Sequence, residues 1–196
     1  MNHQTATPLS VTARSEKFSV RVLCVMAMAI ALNVIGGQIA LFFHLPVYLD
    51  SMGTIMTAIL YGPVCGMLPP LAYGLVMGLT VDIYSLYFMP VGMILGLVTG
   101  LAARRIRLRG AGLIPAALVI TVPGTIVSSI ICAVLFGGIT SSGSTVIVQL
   151  LHQAGLGMTA SVFIVQILTD FIDRLLSLAI VTLLLRRLAP SGLLDR

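Results

Sequence analysis

Tryptophan is absent from this chain, and charge is scarce: Asp, Glu, Lys and Arg make up 9% of 196 residues. Soluble domains carry about 25% charged residues, so the composition argues against a soluble globular domain. The short strands of alternating polarity that build an outer-membrane barrel are also missing. Cysteines number three, and Cys24, Cys65 and Cys132 fall in separate apolar segments. Their spacing fits neither a zinc site nor a close pair, and they read as buried apolar residues. No HExxH, GxSxG or Walker A pattern occurs. The expectation is therefore a chain that is not an enzyme and holds no metal or cofactor.

What is present is apolar. Hydrophobic residues make up 58% of the chain, and the mean hydropathy is +1.11. The predicted fold is all-α, a polytopic membrane helix bundle. Runs at 19–42, 51–63, 65–80, 90–103, 112–136 and 160–187 give six transmembrane helices. The first run lacks a small-residue cleavage site and reads as a retained span. The second and fourth are short. Tyr61-Gly62-Pro63 should turn the chain between the second and third, and Pro69-Pro70 should kink the third. Gly74/Gly78, Gly92/Gly96 and Gly96/Gly100 have the spacing that lets helices approach closely. The domain reading is a polar, disordered cytoplasmic tail over 1–17, a membrane domain over 18–188 and a short cytoplasmic tail over 189–196.

Charge sets the expected orientation. Arg14, Lys17 and Arg21 precede span one, Arg104, Arg105, Arg107 and Arg109 follow span four, and Arg186, Arg187 and Arg196 follow span six. With six spans these residues share one face, which the positive-inside rule makes cytoplasmic, with both termini there. Their position at the ends of apolar runs reads as topology and not as a nucleic-acid surface. The expected location is the inner or plasma membrane of a prokaryote, with the lipid bilayer as a partner.

Asp50, Asp82, Asp170 and Asp173 gather toward the opposite, outer face. Segments 42–51, 81–90 and 137–159 lie there too, with Tyr48, Tyr84, Tyr87 and His152. Residues 145–154 read as a short amphipathic helix, and Gln38 in span one points toward the same mouth. Polar and aromatic groups converging at one end of a bundle predict a small-molecule pocket. The last span poses the sharpest problem, because Asp170, Asp173 and Arg174 interrupt an apolar helix. Asp170 and Arg174, four apart with the acid first, suit a pair, which would leave Asp173 unpaired. A charge at membrane depth faces the bundle interior or a wet cavity. These three residues are therefore expected to line that pocket. Four outer acids against one arginine lean toward a neutral or cationic ligand.

Three stretches carry a family resemblance. AMAIALNVIGG (27–37) holds Ala27-xxx-Ala31, LPVYLDSMGTIMTAILYGPVCGML spans 45–68, and FGGITSSGS…TDFIDRLLSLAIVTLLLRRLAP spans 136–190. Together they resemble the substrate-binding S components of energy-coupling factor (ECF) transporters, over roughly residues 25–190. Asp173-Arg174 stands where that family often has Asp-Lys, and Arg exchanges a point donor for a planar fork. The resemblance implies high-affinity binding of a vitamin or related micronutrient from outside. It also implies docking through Ala27 and Ala31 onto a membrane scaffold subunit that carries two ATPase subunits. Two other readings stay open: a ligand-sensing membrane module, and a solitary proton-coupled carrier with Asp173 or Asp82 as relay.

Overall fold

The computed structural model describes residues 20–188, except Arg107, Arg109 and Ser141. The expected tails, with Arg14, Lys17 and Arg196, lie outside the described residues. Eight α-helices follow in order: α1 (Val20–Phe42), α2 (Met52–Tyr61), α3 (Pro63–Gly66), α4 (Leu68–Thr80), α5 (Tyr84–Ala102), α6 (Leu113–Phe136), α7 (Ser144–Gln153) and α8 (Met158–Leu188). A 3-10 turn at Gly110–Gly112 leads into α6. The described residues contain no strand.

Four helical stretches are long and apolar enough to cross a membrane: Val20–Phe42, Pro63–Thr80, Tyr84–Ala102 and Gly110–Phe136. Met52–Tyr61 is apolar but only 10 residues long. The 31-residue α8 has the length, with Asp170, Asp173 and Arg174 in its middle. The helix faces show why this bundle suits lipid. On α6, Ile114, Leu118, Val122, Ile126, Ile130 and Val134 recur every fourth residue and all point outward. On α8, Ile164, Leu168, Ile172 and Leu176 do the same. The opposite faces bury Thr121, Thr125, Ser128 and Ser129 on α6 and Gln166, Asp170 and Arg174 on α8. Polar groups inside and a continuous apolar stripe outside is the arrangement a lipid solvent favours.

Helix α2 occupies the middle, touching α1, α4, α5 and α8. All six residues from Gly53 to Ala58 are buried. It sits there because Gly53 lets α1 come in: a Cβ at Gly53 would run into the Ala29 backbone. The predicted glycine spacings are real packing surfaces. Gly74 and Gly78 of α4 face Met89 and Leu86 of α5, while Gly92, Gly96 and Gly100 face Pro70, Gly66 and Pro63.

Two boundaries differ from the sequence reading. The third span breaks at Met67, which separates α3 from α4, so Pro69 and Pro70 fall in the first turn of α4. There a missing N–H costs nothing. The segment 81–90, expected as a loop, is helical from Tyr84 onward. Asp82 explains this: its carboxylate accepts from the Tyr84 N–H at 3.4 Å and from the Ser85 hydroxyl at 3.3 Å. Pro90 lies within α5 on an exposed face. The predicted amphipathic helix is present as α7, its buried Val148 packed with Cys132, Val162 and Val165.

The two ends of the bundle differ in charge. Arg104 and Arg105 after α5 and Arg186 and Arg187 of α8 share one end, where Arg186 donates to the Leu108 carbonyl at 3.2 Å. Residues 43–51, 81–83 and 137–157 form the other.

Candidate functional site

After α1 the chain turns back into the bundle. Gly143 N–H and the Ser142 hydroxyl both donate to the Leu45 carbonyl, at 3.3 and 3.4 Å. The Tyr48 hydroxyl meets Thr140 Oγ1 at 3.4 Å. Segment 137–144 therefore closes over segment 43–50. Leu49 then takes a positive φ of 54°, uncommon for a bulky residue and a mark of local strain. Its neighbours hold it there. Gly36 leaves room for the Leu49 carbonyl, which a Cβ would strike, and the Leu49 N–H donates to Asp173 Oδ1 at 3.0 Å.

This is the task of the middle charge in α8. Non-helical backbone at membrane depth must find its hydrogen bonds inside the protein. Asp173 supplies them: Oδ1 takes Leu49 N–H, Oδ2 takes the Ser51 hydroxyl at 3.1 Å, and Arg174 bonds Oδ2 from the next residue. Ser51 also reaches Ser177 at 3.1 Å. Asn33 serves the next turn, accepting Gly53 N–H at 2.8 Å and donating to Thr54 at 2.9 Å. The expectation that Arg174 would satisfy Asp170 and leave Asp173 unpaired is corrected. Asp173 is the paired acid, because the re-entrant segment ends directly against it.

Beside this anchor lies a cavity between α1, α2, α4, α5, α6, α8 and segment 48–50. The space available to water centres measures about 80 Å3, several times the 10–15 Å3 that one water needs. Tyr73, Tyr84, Phe88 and Tyr48 supply aromatic walls, while Pro70, Met89, Val91 and Leu41 add apolar surface. Asp50, Asp82, Asp170, Arg174, Gln166 and Ser128 supply the polar groups. Asp170 is 8% exposed, and its Oδ2 accepts from Thr125 at 2.7 Å. Gln166 Oε1 accepts from Ser129 at 2.8 Å and Ser128 at 3.1 Å, which fixes the amide on the cavity wall. Burial pushes the Asp50 carboxyl up to about 6, against the pull of the Arg174 guanidinium. The Tyr48 phenol is raised for the same reason.

Six of the ten ligand residues read from the sequence line this cavity: Tyr48, Asp50, Asp82, Tyr84, Asp170 and Arg174. Four do not. Gln38 donates to the Met77 sulfur at 3.5 Å. Tyr87 is 47% exposed and packs edge-on against Phe136. His152 is exposed, its Nδ1 2.9 Å from the Leu156 carbonyl. Asp173 anchors the backbone next door. Tyr73, Gln166, Ser128 and Phe88 were missed. The signal for Gln166 was present, since Gln166, Asp170 and Arg174 recur at intervals of four and mark one face. Ala27 and Ala31 are exposed on α1, whereas Ala29, two residues off, is fully buried.

The chain matches no protein-family model, no curated protein and no solved structure.

Proposed function

We propose that this chain is the substrate-binding S component of an ECF-type transporter for a vitamin-like micronutrient in a prokaryotic cell membrane. On this reading α1, α2, α3 with α4, α5, α6 and α8 are six spans. The arginine-rich end and both termini are cytoplasmic, and the cavity opens outward. The observation that carries it is the cavity itself, lined by six helices and the strap, with buried polar groups set among aromatic walls. Such a site suits selective capture of one small molecule. The exposed Ala27/Ala31 edge of α1 supports docking on a scaffold subunit that carries two ATPases, because small side chains allow close helix approach. A solitary proton-coupled carrier is less well supported. It would use Asp173 or Asp82 as relay, yet both oxygens of each are held by partners.

The test is co-expression of the tagged chain with a scaffold and two ATPase subunits from the same organism, followed by purification in detergent. The four proteins should co-purify. Ala27→Trp or Ala31→Trp should break that complex and leave ligand binding by the isolated chain intact. A folded chain that never joins the other three would overturn the assignment.

A further inference from the structure

Charge around the cavity is unevenly satisfied. Three carboxylates, Asp50, Asp170 and Asp173, surround one guanidinium, Arg174. Asp173 holds that guanidinium directly and is otherwise spent on Leu49 and Ser51. Asp82 is engaged at the start of α5, where its oxygens accept from the Tyr84 N–H and the Ser85 hydroxyl. Asp50 and Asp170 remain. Asp170 is more than nine-tenths buried, and Thr125 occupies only one of its oxygens. No hydrogen bond reaches its Oδ1 among the described residues, and the side chain lines the cavity. Asp50 lines the cavity from the strap, where its carboxylate meets only the neutral phenol of Tyr73 and no cation of its own. Two acids that share one guanidinium with a third, better-placed acid leave the cavity short of positive charge.

The remaining walls fit the same partner. Tyr48, Tyr73, Tyr84 and Phe88 offer aromatic surface, and ring faces attract cations. Among the described residues no three acids, cysteines or histidines gather as a metal ion would need. The missing charge is thus better supplied by an extended organic ion than by a bare one.

We infer that the cavity selects a small organic cation, an aromatic or heteroaromatic molecule bearing an ammonium or amidinium group. Its charged end would sit between Asp50 and Asp170 and its ring among the tyrosines. The inference takes its purpose from the binding-subunit reading, but its test does not depend on assembly. Purified chain in detergent is titrated with benzylamine, benzyl alcohol and benzoate, which share one ring and differ in charge, with binding read by ligand-observed NMR.

Benzylamine should bind at least about tenfold more tightly than benzyl alcohol, with benzoate weakest. Asp50→Asn and Asp170→Asn should each lower benzylamine affinity and erase its preference over benzyl alcohol. Equal or tighter binding of the alcohol or of benzoate overturns the inference. So does an absence of benzylamine binding up to about 1 mM, the weak end of the affinity range. Should a variant fail to fold, the wild-type ranking still decides. A chain that assembles with scaffold and ATPases yet prefers benzoate would end the cation inference and leave the transporter reading standing. The reverse pattern would do the opposite.

Discussion

The two halves of the bundle solve opposite problems with the same helices. Toward the arginine end, Ile55, Leu95, Ala116, Ile120, Leu178, Val181 and Leu185 close into a dry core. Small residues there bring backbones together, as where Gly96 meets Gly66. Toward the other end the same helices part around a cavity, and Thr125, Ser128, Gln166, Asp170 and Arg174 replace the aliphatic side chains. Contact in the first half is apolar and close-packed. In the second it is a network of hydrogen bonds among buried polar groups in which charge is unevenly satisfied. Apolar packing and polar networks therefore occupy different levels of one fold, and substitutions should separate them.

The largest effect is expected at Asp173. Replacing it with Ala strands the Leu49 N–H, the Ser51 hydroxyl and the Arg174 guanidinium together. Removing one partner of a buried pair costs about 3–5 kcal/mol. Thermal unfolding in detergent should show that loss. A change below about 1 kcal/mol would mean that the strap at 43–51 is not held as described.

A middle effect concerns Asp50 and pH. Its carboxyl stands at about 6 in the fold, against about 3.9 in an unfolded chain. Between these values the folded protein keeps a proton that the unfolded chain has released. The stability this contributes is complete below about pH 4 and is lost as pH rises through about 6. The melting temperature of the wild type should therefore fall relative to Asp50→Asn between about pH 4 and pH 6. A difference that stays flat over that window would remove Asp50 from the buried network.

The smallest effects belong to the residues that missed the cavity. Tyr87→Phe and His152→Ala should each change stability by no more than about 0.5 kcal/mol and leave ligand affinity unaltered. Loss of binding in either would extend the site to the rim formed by Phe136 and α7, and blur the division between halves.

Much of this was legible in the sequence. Apolar runs located the helices, the glycine spacings located their contacts, and the alternation of basic and acidic ends separated the two faces. Asp170 and Arg174 were legible because charge in an apolar helix has few uses, and Asp50 because it stands with other polar groups in a segment between apolar runs. What could not be read was register between distant segments. Asp173 looked spare because its partner is a backbone N–H at residue 49, and a backbone donor leaves no mark on composition. Tyr73 was hidden because nothing in α4 tells which of its faces meets the cavity. The extension of α5 back to Tyr84 hung on Asp82 accepting from Tyr84 and Ser85, where its polarity suggested a loop.

The anchor at Asp173 also bears on how the protein is made. Leu49 and Asp173 lie 124 residues apart. At ribosomal rates of about 5–20 residues per second, Leu49 waits about 6–25 s for the carboxylate that accepts its N–H. Until α8 is made, the Leu49 N–H and the Ser51 hydroxyl lack the carboxylate that accepts them, and the wall formed by Gln166, Asp170 and Arg174 is missing from the cavity.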